Sequence, residues 1–316
     1  MLLQTKIPFS KQEHNLIDYK SKILLLGSCF SENIGDKLSY YKFQTQQNPF
    51  GILFHPKAIE KLISNAINQK KYTEKDIFFH NERWHCFDGH SDLSTSNKQQ
   101  LIDNLNTKTA TAFSILKDAS HIIVTLGTAW VYKYLESNEI VANCHKIPQK
   151  EFSKEILSID EIQNSLQNIC SLISSVNKSA KVIFTVSPVR HIKDGFVDNQ
   201  RSKSHLISAI HQLREQNNSV EYFPSYEIMM DQLRDYRFYK EDMIHPNATA
   251  IHCIWDKFSS VWLSESAIET MNKVEEIQRG LAHKPFNPNS EAHQKFLEKL
   301  AQKKETLTKV FPHISF

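Results

Sequence analysis

Apolar positions recur along the chain in two rhythms, and their alternation predicts the architecture. Ile23 to Leu26 is four apolar residues in a row, too short for a typical helix and suited to a strand buried on both faces. His121 to Leu126 and Val182 to Val186 read the same way, Tyr41 to Gln46 alternates with period two, and Val220 to Phe223 is another short strand. Helical spacing fills the intervals. From Ser31, a plausible N-cap, Ile34 and Leu38 lie one turn apart. Pro56 opens a helix to about Asn68, with Ile59, Leu62, Ile63 and Ala66 on one face. Further helices are expected over residues 98–118, 159–176, 199–215, 225–234 and 246–263.

Strands that alternate with helices predict a parallel sheet covered on both faces. Five strands near residues 23, 42, 122, 183 and 221 fit an α/β, flavodoxin-like three-layer sandwich with a five-stranded parallel sheet. Hairpins are expected at Ile77–His80 with Trp84–Phe87, and at Val131–Tyr134 with Ile140–Asn143. The organisation is therefore a sheet domain over residues 1–263, with an irregular lead-in to residue 20 and a hairpin/helix insertion at about 72–118. Residues 264–316 form a helical extension, two charged amphipathic helices parted by Pro285-Phe286-Asn287-Pro288. That extension either covers the core or forms a homodimer surface, and the sequence leaves both open.

Ligands in such folds bind beyond the carboxyl ends of the strands, and Ser28, Gly51, Gly127 and Ser187-Pro188 all follow strands. Ser28 sits between a strand-breaking Gly27 and a helix start, whose free backbone N–H groups suit an anion or oxyanion. A helix cap is the plainer role for such a serine. Far downstream, Asp242 and His245 stand three apart before a helix, so the carboxylate reaches and orients the imidazole; a Ser–His–Asp set is the logic of acyl-transfer nucleophiles. The plainer alternative is that Asp242 and His245 only cap that helix, with Pro246 at its first position. Glycine is scarce, 7 in 316 residues, so Gly27, Gly51 and Gly127 each mark a backbone position hard to fill otherwise.

Gly27-Ser28-Cys29-Phe30 resembles the signature of the GSCFA family, within the wider SGNH/GDSL hydrolase group. Asn48 to Phe54, Leu126 to Trp130, Asn143-Cys144-His145-Lys146, Thr185 to His191 and the run from Tyr222 through Asp242 and His245 resemble family motifs too, so the likeness spans about residues 20–262. The resemblance implies an SGNH-type sheet domain with Ser28, Asp242 and His245 catalytic. It implies oxyanion donors at the Ser28 and Gly51 N–H groups and at an Asn in a third block, where this chain has Ala129. The Thr128 hydroxyl, Asn48 or Asn143 are then the candidate substitutes, since loss of one such donor costs about a hundredfold in rate.

Arg190 and His191 follow a strand end and are aimed at the same cleft; Arg190 suits a carboxylate or an acyl group, or a salt bridge that fixes the loop. Trp84 and Trp130 are candidate sugar platforms and His90 a candidate substrate contact. The Asp231–Arg237 run reads as structural support behind the His245 loop. Cys29 raises a thiol nucleophile, but the neighbour of a strand-end serine is expected to point into packing, so Ser28 is preferred. A metal held by His85, Cys86, Asp88 and His90 is not expected, because His85 and Cys86 point to opposite faces of a hairpin. No cofactor is implied.

Net charge of +3 is too small to argue for nucleic acid or an anionic membrane, and no apolar run is long enough to span one. Five scattered cysteines without a CxxC pair, and a first segment without a signal-peptide pattern, give a cytoplasmic expectation. The expected activity is a serine esterase acting on a small O-acyl ester, with O-acetylated carbohydrate as one candidate. An acyltransferase, or a catalytically weak binding module that keeps the cleft, is the alternative.

Overall fold

The computed structural model describes residues 5–316, so the first residues of the lead-in lie outside it. Strand β1 (Lys22–Gly27), helix α1 (Cys29–Tyr40), β2 (Gln44–Gln47) and α2 (Pro56–Ile67) come first. The hairpin β3 (Phe78–His80) and β4 (Arg83–His85) leads to α3 (Lys98–Asp118) and β5 (His121–Leu126). Then follow β6 (Trp130–Tyr134), β7 (Glu139–Val141), β8 (Phe152–Ile156), α4 (Ile159–Val176), β9 (Lys181–Val186), α5 (Phe196–Gln216) and β10 (Val220–Phe223). The chain closes with α6 (Ser225–Glu227), α7 (Ala248–Trp262), α8 (Glu265–Ala282) and α9 (Glu291–Val310).

The sheet runs β2-β1-β5-β9-β10, and every pairing in it is parallel. In chain order this is 2-1-3-4-5, the flavodoxin-like arrangement expected, and its strand order reverses beside β1. Alternation along β1 divides the core. Leu24 and Leu26 pack with α2, α3, α4 and α5 on one face; Ile23 and Leu25 pack with α1 and α7 on the other. The C-terminal helices belong to that second face, because Val274, Ile277, Leu300 and Leu307 bury into the same cluster as Leu38 and Trp255.

Three local expectations change. Helix α1 starts at Cys29 with Ser28 as its cap, not at Ser31, whose hydroxyl instead donates to the Leu26 carbonyl at 3.0 Å. The β6–β7 hairpin gains a third strand, β8, which three consecutive polar residues had disguised. The expected helix over 225–234 is one α-turn running into a π-turn at Ile228–Gln232, closed by the Leu233 N–H on the Ile228 carbonyl. No helix among the described residues is long and apolar enough to cross a membrane.

Candidate active site

The turn after β1 is fixed by glycine. Gly27 has φ +127°, and a Cβ there would stand 2.0 Å from the Thr125 carbonyl oxygen on the adjacent β5. The turn is then pinned from three sides. The Gly27 N–H donates to Asn48 Oδ1 at 2.9 Å, its carbonyl accepts from the Leu53 N–H at 3.0 Å, and the Ser28 N–H donates to Thr125 O at 3.1 Å. Ser28 is 0% exposed and its Oγ accepts from the Phe30 N–H, so the hydroxyl caps α1 beneath the surface. Cys29, the first helical residue, is half-buried and opens into a cavity of about 650 Å³ at the carboxyl edge of the sheet. Residue order on the turn thus places the thiol, not the hydroxyl, against the cavity, against the expectation that Cys29 would pack inward.

His245 lines the same cavity. Its Nδ1 lies 2.7 Å from Asp242 Oδ2, while Asp242 Oδ1 accepts the backbone N–H groups of Ile244 and His245 at 2.8 and 2.9 Å. Those N–H groups and the imidazole hold the Asp242 carboxyl down at about 2, so it is an anion throughout the neutral range. An Nδ1–H donated to that carboxylate leaves Nε2 as the basic nitrogen. Met243, at φ +56°, makes the tight turn that brings Asp242 back onto the ring.

Burial and Glu32 push the Cys29 thiol up; its own backbone N–H and the charges of Lys203 and Lys240 oppose them. The resting sulfur is therefore a protonated thiol that needs a base. Lys203 was not anticipated. It is 0% exposed, and its Nζ donates to the carbonyls of Gly127 and Ser187, at 2.7 and 2.8 Å, tying the ends of β5 and β9 together beneath the site. Burial pulls its ammonium down to about 7. The signal was present in the sequence: Lys203 falls on the stripe of α5 that carries Leu206, Ile210 and Leu213 into the core.

The expected oxyanion donors are mostly spent on structure. The Gly51 N–H donates to Asn48 O at 2.8 Å, and Asn48 itself holds Gly27 and donates to Glu32 Oε1 at 3.3 Å. Thr128 lines the cavity, but its hydroxyl pairs with Ser202 Oγ at 3.1 Å and accepts the Trp130 N–H at 3.0 Å. Ala129 is fully buried. Asn143 does face the cavity: its Oδ1 accepts the His145 N–H at 2.8 Å, and its Nδ2 has no partner among the described residues.

Trp130, Arg190 and His191 also line the cavity. Burial, with the charges of Lys203, His245 and Lys193, pushes the His191 imidazole down to about 3, so it is neutral; its Nε2 is buried without a partner. Arg190 does not form the loop salt bridge considered from sequence; its guanidinium stacks 4.2 Å over the Tyr239 ring. His90 is absent from the cavity wall: it caps the turn Ser91–Leu93 and pairs with Asp92. Trp84 lies instead in the β3–β4 hairpin under Lys98. The nearby metal candidates are otherwise engaged, His85 with Ser94 Oγ and the His80 carbonyl, Asp88 with Lys61, Lys70 and Tyr72. No group of three such side chains among the described residues could hold an ion.

Residues 22–258 match the model of the GSCFA family, and residues 274–316 match that of the GSCFA domain protein, C-terminal domain. No curated protein matches the sequence. Among solved structures, a DUF4886 family protein from Bacteroides uniformis is similar at 13% identity, covering 94% of this chain and 97% of its own, with a TM-score of 0.41. A carbohydrate esterase family 3 protein from Talaromyces cellulolyticus is similar at 7% identity, covering 81% and 99% of the two chains, with a TM-score of 0.36.

Proposed function

We propose that this chain, which belongs to the GSCFA family, is an acyl-transfer enzyme of the SGNH/GDSL kind that uses Cys29 as nucleophile, His245 as base and Asp242 to orient it. The observation that carries the reading is one cavity lined by both Cys29 and His245, with the His245 Nδ1 held 2.7 Å from Asp242. His245 Nε2 takes the thiol proton as sulfur attacks an ester carbonyl. The oxyanion that forms is met by the Cys29 N–H at the start of α1 and by Asn143 Nδ2. Collapse expels the alcohol, protonated by His245, and leaves a thioester on Cys29. Water then releases the acid in a hydrolase, or a second alcohol takes the acyl group in a transferase. Trp130 lines the cavity with Lys154 over its ring, and an aromatic wall residue keeps O-acetylated carbohydrate among the candidate substrates.

The raised thiol favours a second reading, a catalytically weak module that binds acylated ligands without turning them over. Aryl acetate and butyrate esters separate the two when adducts are followed by intact mass and peptide mapping. One acyl group on Cys29, lost in Cys29→Ala and kept in Ser28→Ala, is the expected result. Unchanged turnover in Cys29→Ala would return the role to Ser28; no adduct and no turnover in the parent chain would leave the binding module.

A further inference from the structure

Resting on that reading of the cavity, we infer that the substrate carries an oxyanion, a carboxylate or a phosphate, which docks on Arg190. Arg190 lines the cavity beside His191. Its backbone N–H donates to the Ile244 carbonyl at 3.3 Å, which joins its loop to the one that carries His245. The guanidinium lies 4.2 Å over Tyr239 and 5.8 Å from Tyr236, so two rings flank it. It has no carboxylate within 4.0 Å among the described residues, and its Nε is buried without an acceptor. A buried donor left unpaired costs stability, and packing alone would be served as well by an uncharged side chain.

The rest of the wall agrees in sign. Its charged side chains besides Arg190 are Lys154, Lys193 and Asp194. Lys154 is paired with Asp194, which removes the wall's acidic side chain from play. Among the described residues Arg190 and Lys193 are then left without an acidic partner, on a wall whose apolar part includes Ile52, Phe54 and Val189. A guanidinium set against aromatic rings, with no carboxylate partner among the described residues, suits planar or tetrahedral oxyanions. The ester that fits has an apolar middle and an anionic end, as in the half-ester of a dicarboxylic acid or a phosphorylated alcohol.

The test uses the full chain and does not depend on turnover. Glutarate, its uncharged analogue glutaramide, and inorganic phosphate are each titrated calorimetrically into the parent, Arg190→Gln and Arg190→Lys. Iodoacetamide alkylation of Cys29 in parallel reports whether binding occurs in this cavity. Glutarate or phosphate should bind and slow alkylation while glutaramide does neither; the tighter of the two anions identifies the source of the oxyanion. Arg190→Gln should weaken binding by at least about tenfold, the worth of a charge-assisted hydrogen bond, and Arg190→Lys by less. Equal binding of glutarate and glutaramide, no anion binding to the parent, or undiminished binding in Arg190→Gln would overturn the inference. Loss of secondary structure in both variants, with no anion binding to the parent, would reduce Arg190 to a brace on Tyr239. Anion binding without any thioester on Cys29 would instead sink the catalytic reading and leave the anion site standing.

Discussion

Replacing Lys203 with methionine should remove a pH dependence from the stability of the fold, because this lysine is buried without a carboxylate. Burial brings its ammonium from the ordinary 10.5 to about 7. At about 1.4 kcal/mol for each tenfold, that descent is on the order of 5 kcal/mol. The unfolded chain keeps the proton up to about 10.5, whereas the folded chain sheds it above about 7. Between those limits the unfolded state binds more protons, so native stability rises with pH by about 1.4 kcal/mol per unit and is flat below. Lys203→Met abolishes that slope. At pH 7 the substitution also removes most of the burial cost but strands the carbonyls of Gly127 and Ser187, each worth about 1–3 kcal/mol. The two effects nearly cancel there, so the variant should match the parent near neutrality and fall progressively behind it toward pH 9. Guanidinium melts of parent and variant at pH 7, 8 and 9 measure this directly. Parallel stability curves for the two proteins would show that Lys203 keeps an ordinary affinity for its proton and would refute the argument.

Asp242→Asn keeps the shape of the turn but replaces an acceptor for the His245 Nδ1–H with an amide, so acylation of Cys29 should slow by several orders of magnitude, about 10⁴ where such a swap fixes the wrong tautomer. Because the Asp242 carboxyl is held at about 2, loss of activity on mild acidification of the parent must come from other groups, which a pH–rate profile of the thioester-forming step checks. A chain ended after Leu263 loses Val274, Ile277, Leu300 and Leu307 from the second core face. At about 1.5–3 kcal/mol for each buried side chain, this rivals the whole stability of a typical domain, so the shortened chain should bind a hydrophobic dye and lose its cooperative melt. An unchanged melting midpoint would show that α8 and α9 merely decorate the sheet.

Much of the fold was legible because burial on both faces leaves a plain signature. The runs His121–Leu126 and Val182–Val186 and the helices at 98–118 and 159–176 needed no tertiary information. Strand β8 was not legible, since a strand on a cavity wall presents Lys154 to the cavity and to the Trp130 ring. Its pattern is set by the site and not by a core. The C-terminal helices read as amphipathic, but only the packed chain reveals which apolar surface receives them.

The site was legible as a location and only partly as chemistry. Strand ends and the Asp242–His245 spacing point to loops that the fold brings to one cavity, because both depend on short-range geometry. Which of two adjacent residues meets the cavity depends on where the helix begins. With Ser31 as cap, Ser28 would stand on a free turn; with Gly27 at φ +127° directly beneath Thr125, the helix starts at once and Ser28 becomes its cap. One glycine contact therefore exchanges the positions of hydroxyl and thiol relative to the cavity. The same compactness accounts for the missing oxyanion donors: Gly51 and Asn48 are consumed in pinning that turn, and Asn143 is left as the side-chain amide that still faces the sulfur's cavity. Asn143→Ala should accordingly slow formation of the thioester more than it weakens substrate binding, because an oxyanion donor acts in the transition state and a binding contact acts in both states.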